Sequence, residues 1–196
     1  MRLALVATLV AGSFAAGCAK ASHDEQGRRP SGSTTTAARS TEDFVAAAGD
    51  FVNIHDMTAV RGFFVTNRSG HLAQALAVAR SKRGGTYPVG TIIQLVPQEA
   101  MVKRRSGFDP ASNDWEFFEL DTSKSGTVIH QRGGAEIVNR FGSGSCSSCH
   151  RAADAKFDFV CEETHGCAPL PFGRDVIDAI QQRDPRPRGR ASGSGS

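Results

Sequence analysis

The segment Cys146-Ser147-Ser148-Cys149-His150 constrains this chain more than any other feature. On one helical turn, two cysteines at this spacing reach the two vinyl groups of a single haem and bond to them as thioethers. The adjacent histidine then falls under the iron and supplies the proximal nitrogen. One covalent haem c, held by Cys146, Cys149 and His150, is therefore the expected cofactor. The motif lies late in the chain, so most of the fold around that cofactor must come from residues preceding it. Other chemistries stay open for the same cysteines. A redox-active Cys-x-x-Cys suits a thioredoxin-like fold, yet no strand–helix–strand pattern precedes the motif. A zinc site from Cys146, Cys149, Cys161 and Cys167 would make a non-redox module.

The ends of the chain carry an address. Arg2 precedes an apolar run over residues 3–10, followed by small residues up to Ala15-Ala16-Gly17-Cys18. The run is too short to span a bilayer as a mature helix and reads as a secretory signal. Small residues ending in Gly-Cys resemble the lipobox of bacterial lipoproteins, which implies removal of residues 1–17 and lipidation of Cys18. The protein is then exported to the periplasm and, in a Gram-negative source, anchored to the outer membrane by its lipid. Residues 18–40, rich in Ser, Thr and Gly, read as a flexible tether that cannot bury enough surface to order itself. Residues 183–196, with alternating Pro and Arg before a Ser-Gly run, read as a disordered basic tail. One folded domain is expected between them, over residues 41–182. Much of the net charge of +3 lies in the tail arginines, so nothing points to a nucleic-acid surface. Of the five cysteines, one goes to lipid and two to haem. Cys161 and Cys167 remain, and in an oxidising compartment they can close a small disulfide loop around Gly166.

Patterning gives the fold class. Thr41 to Ala48 reads as a short capped helix ending at Gly49. Val60 to Thr66 reads as a strand, and Asn67 to Gly70 as the turn capping a helix over His71 to Arg80. Further strands are expected near residues 91–96, 100–105, 115–120 and 127–131. Adjacent strands with short turns favour an antiparallel sheet, giving an α+β domain that is mainly antiparallel sheet with a few packed helices.

Four segments then bring a resemblance. Tyr87-Pro88-Val89-Gly90-Thr91, Asp114-Trp115-Glu116-Phe117-Phe118, the stretch from Gly142 to His150, and Phe157-Asp158-Phe159-Val160 occur in an order similar to the cytochrome P460 family, which includes the β-sheet cytochromes c′. The likeness runs from about Phe51 to Pro171. It implies a β-rich fold, one haem near the C-terminus, often a homodimer, and an iron with an open or exchangeable distal position. Some members bind nitric oxide and oxidise hydroxylamine, passing electrons to an external acceptor through a redox partner, and carry a lysine bonded to the porphyrin edge. Lys103, on a predicted strand beside Met101, is the candidate for that role, with Gln94 standing where the family lysine would otherwise be placed. In other members an aromatic residue caps the distal side, and Phe63 and Phe64 are the candidates. Arg61 is a candidate hydrogen-bond donor to a distal ligand. The expected function is thus a haem protein that binds nitric oxide or hydroxylamine, with an oxidoreductase activity as a further step. A six-coordinate electron carrier is the competing reading, and would need a second strong ligand such as Met101 or His165.

Overall fold

The computed structural model describes residues 42–139 and 144–189. Cys18 and the segments expected to form a signal and a tether lie outside the described residues. Six strands form one antiparallel meander in chain order: β1 (Thr58–Val60), β2 (Phe63–Asn67), β3 (Thr91–Gln94), β4 (Glu99–Lys103), β5 (Trp115–Ser123) and β6 (Gly126–Gly133). Each strand pairs with its sequence neighbour, as short connections favour. The α+β reading is met in this form.

Side chains alternate across a strand, and here both faces are covered. The front face carries Phe63, Val65, Ile93, Met101, Trp115 and Phe117, and joins them to Cys146 and Val160. Helix α1 (Leu72–Arg80) closes one side of it with Ala75 and Ala79. Its start is fixed by Asn67, whose Oδ1 accepts from the backbone N–H groups of Ser69 and His71. The back face carries Phe64, Ile92, Val102, Phe118 and Leu120 against Ala46, Phe51 and Ile54. Burial on both faces explains why β5 is buried at six successive positions before it runs out into solvent.

Three expectations change. The helix expected over Thr41 to Ala48 is extended chain through its described part, with a single 3-10 turn at Ala48–Asp50. Asp43 does not cap it, because its carboxylate is taken by Arg104, at 3.0 Å from Nε and 2.6 Å from an Nη. Val60 to Thr66 is not one strand but a tight hairpin, broken where Arg61 takes φ 52° and Gly62 N–H turns back to the Val60 carbonyl. The basic tail does not begin at Arg183. Helix α3 (Arg174–Gln182) leads into a strap whose Arg186 and Asp184 pair at 2.6 Å with almost no exposed surface. Asp184 also accepts from Ile54 N–H, while Arg186 donates to the Phe51 carbonyl and its own carbonyl accepts from the Asn53 amide. The folded domain therefore reaches Gly189, whose N–H is bound by Asp56. Among the described residues, no helix is long and apolar enough to cross a membrane.

Candidate functional site

The Cys-x-x-Cys-His segment forms helix α2 (Cys146–His150), on the front side of the sheet. Ser145 caps it by accepting from Ser148 N–H, and Cys146 N–H is bound by the Ile137 carbonyl. The turn is thus tied at its start to the chain leaving β6. Ser147 is fully buried and donates to the Ala135 carbonyl, which fixes which side of the turn faces the protein.

Cys146 and Cys149 are both free thiols, one buried and one exposed. Burial pushes the Cys146 thiol up to about 12, with Glu99 and Glu119 adding to the effect. Cys146 itself is therefore not the low-pKa thiolate with which a redox-active pair attacks. The zinc reading also fails on geometry. Cys161 and Cys167 are joined as a disulfide, with Cα atoms 5.7 Å apart, and are lost as ligands. A loop of this size is worth roughly 2 kcal/mol by the loop-entropy model. Among the described residues, no three His, Cys, Asp or Glu side chains converge on a metal-sized point.

Two contacts orient His150 among the described residues. Its Nδ1 lies 2.9 Å from the Phe159 carbonyl, and its ring lies 5.2 Å from that of Phe117. A carbonyl only accepts, so Nδ1 carries the proton and Nε2 carries the lone pair. Burial pushes the imidazole pKa down and so favours the neutral ring, while the hydrogen bond to Phe159 opposes that shift.

The segments that carried the family resemblance meet behind this histidine. Asp158 accepts from Lys103 Nζ at 2.6 Å, Asn113 Nδ2 at 2.5 Å and Tyr87 N–H at 2.8 Å. Its carbonyl accepts from Trp115 Nε1 at 2.7 Å. Tyr87 and Trp115 pack edge to face, with ring centroids 5.5 Å apart. Lys103 is therefore neither a solvated strand residue nor a side chain free to reach a porphyrin edge. It is 5% exposed and committed to Asp158 and the Asn113 carbonyl. Burial pushes the Asp158 carboxyl up, and Lys103 opposes that shift through its charge and its hydrogen bond.

The remaining candidates separate by face. Phe63 belongs to the front core with Cys146, whereas Phe64 belongs to the back core and packs edge-on to His55 at 5.6 Å. Phe64 is thus placed away from α2, on the far side of the sheet. Gln94 also points to the back, where its amide bridges the Pro97 and Glu99 carbonyls. Arg61 makes a two-point contact with Glu162, 2.8 and 2.5 Å, and holds the disulfide loop instead of facing a distal ligand.

A cleft of about 190 Å³ opens beside Cys149. Its walls are Leu95 and Val96 from the β3–β4 turn, Leu170 and Phe172, and Ile177 and Ile180 of α3. Leu170 and Phe172 are among the most exposed large apolar side chains described. A cavity that encloses a whole ligand is usually larger, so a group seated here would keep one edge at the surface. Sequence reasoning missed this wall. Val176, Ile177 and Ile180 have helical spacing, and that signal was available.

Comparison with protein-family models, curated proteins and solved structures finds no match to this chain.

Proposed function

We propose that this chain is an exported c-type haem protein in which His150 would hold the iron and leave it accessible to a small ligand such as nitric oxide or hydroxylamine. The observation that carries the reading is the turn itself. Two free thiols and an imidazole whose Nε2 meets no hydrogen-bond partner among the described residues share one helical turn at the edge of an apolar cleft. Cys146 and Cys149 would each add S–H across one vinyl group, the sulfur bonding to one carbon and the hydrogen to the other, with no external oxidant. The haem, when bound, supplies a redox-active iron for the ligand. The chain's own part is to fix the ring of His150, exclude water with the cleft wall and hold the macrocycle through its sulfurs.

Two observations favour an open position over a six-coordinate carrier. The ring of His165 is occupied on every side: Nδ1 lies 2.7 Å from the Val160 carbonyl, Nε2 lies 3.4 Å from Glu162, and the ring stacks on Phe157 at 3.6 Å. Met101 is 4% exposed within the sheet, opposite Ile93 and Phe117. The disulfide agrees with an oxidising compartment and so with export. Hydroxylamine turnover through a lysine–porphyrin bond is not part of the proposal, because Lys103 is engaged elsewhere.

The test is direct. Haem should remain on the acid-extracted, denatured chain and be absent from Cys146→Ala/Cys149→Ala. The reduced protein should change its spectrum at once on addition of nitric oxide. Full covalent haem in the double variant would overturn the attachment. A low-spin spectrum indifferent to nitric oxide would overturn the open position.

A further inference from the structure

We propose that the buried Lys103–Asp158 ion pair is a positioning device for the His150 imidazole, acting through the left-handed turn at Asp158 and Phe159. The inference rests on the haem reading above and assigns residues that do not touch the cofactor.

Among the described residues, the imidazole is oriented by the hydrogen bond that its Nδ1–H donates to the Phe159 carbonyl. That carbonyl belongs to an unusual piece of backbone. Asp158 and Phe159 have φ of 53° and 62°, two successive non-glycine residues in the left-handed region. Side chains with a Cβ avoid this region, and a bulky aromatic avoids it most, so surrounding contacts must hold the turn. The hydrogen bonds that tie this turn to the sheet converge on Asp158. Lys103, Asn113 and Tyr87 donate to its carboxylate, and Trp115 donates to its carbonyl. These donors come from the sheet and its loops, not from α2. The direction of the Phe159 carbonyl is therefore set by β4, by the start of β5 and by the Tyr87 turn, one residue away from the ion pair.

A buried ion pair alone is weak evidence of purpose, since an apolar pair of the same size often serves stability equally well. What distinguishes this pair is its place. A histidine that ligates through one nitrogen donates the proton on its other nitrogen to a fixed acceptor, and the strength of that bond sets how strongly the ring donates to the metal. Lys103 and Asp158 fix the acceptor. Loosening them lengthens the Nδ1–H···O=C bond and weakens the ring as a donor, without removing a ligand or a sulfur.

The experiment compares holoprotein of the wild type with Lys103→Met, Asp158→Asn and Lys103→Arg. Leu120→Ala, on the opposite face of the sheet, controls for plain loss of stability. Covalent haem content should be unchanged in all. In Lys103→Met and Asp158→Asn, the iron–histidine stretching band of the reduced protein should move to lower frequency in the resonance Raman spectrum. The midpoint potential should rise in the same two variants. Lys103→Arg should restore both toward wild type, and Leu120→Ala should leave both where they were. If the single variants do not accumulate, Lys103→Met/Asp158→Asn leaves no lone buried charge and is read in the same way. Wild-type band and potential in the haem-loaded variants would overturn the inference alone. A wild-type chain without covalent haem would sink the haem reading and take this inference with it.

Discussion

Phe63 and Phe64 are neighbours in the chain and belong to different halves of the molecule. Phe63 packs toward Cys146 on the front of the sheet, and Phe64 toward Phe51 and Ile54 on the back. Truncating either removes a buried ring and should cost roughly 3–5 kcal/mol. If the proposed haem reading holds, only Phe63→Ala should also change the rate of nitric oxide binding, as followed by rapid mixing with the reduced protein. Equal rates in wild type and Phe63→Ala, or a changed rate in Phe64→Ala, would contradict the placement. The period-two alternation was legible from the sequence. Which face met the motif was not, because that depends on where α2 docks after the sheet has formed. Lys103 teaches the same lesson more sharply. Its strand was readable, but its partner lies 55 residues away in a turn whose left-handed backbone no residue type announces. Among the cysteines, the pairing of Cys161 with Cys167 was readable from their short spacing and the turn that Gly166 allows.

At the scale of elements, strands were easier to read than ends. The four strands from β3 to β6 carry β-branched and aromatic residues between turn signals, and they appear where expected. The N-terminal stretch misled because Asp43 suits a helix cap equally well as an ion-pair partner, and Arg104 decides the matter from across the fold. This clasp ties the entering chain to β4 and has a pH signature. Arg104 hydrogen bonding lowers the Asp43 carboxyl from 3.8 to about 2, helped by the Arg105 backbone N–H and opposed by burial. The folded value lies below the unfolded one. The stabilisation is therefore complete above pH 3.8 and is lost as pH falls through about 2. With the solvent screening of a partly exposed group, it should be worth about 1–2 kcal/mol. Denaturant stability of the wild type should exceed that of Asp43→Asn near neutral pH, and the two should converge in strong acid. A gap of constant size across that window would refute the assignment.

For the molecule as a whole, the decisive surprise is the strap. Alternating Pro and Arg read as a solvated tail, and composition gave no sign that Arg186 would be 3% exposed behind the sheet. Its charge is tolerable there because Asp184 meets it and the Phe51 carbonyl accepts from it. Removing one partner strands the other. Arg186→Ala should lower stability by roughly 3–5 kcal/mol. For a domain of this size that is a fall in melting temperature of about 10 °C. An unchanged melting temperature would mean that the segment does not pack as described.

The strap also dictates an order of events. Asn53 receives its partner Arg186 from 133 positions further along the chain. A chain made from its N-terminus therefore leaves the Asn53 amide and Ile54 N–H without these partners until Asp184 and Arg186 have appeared. Through that interval, Cys146 and Cys149 have already emerged while the back of the sheet is still unsealed. The interval in which those two free thiols belong to an incompletely closed domain is thus set by residues on the other side of the sheet.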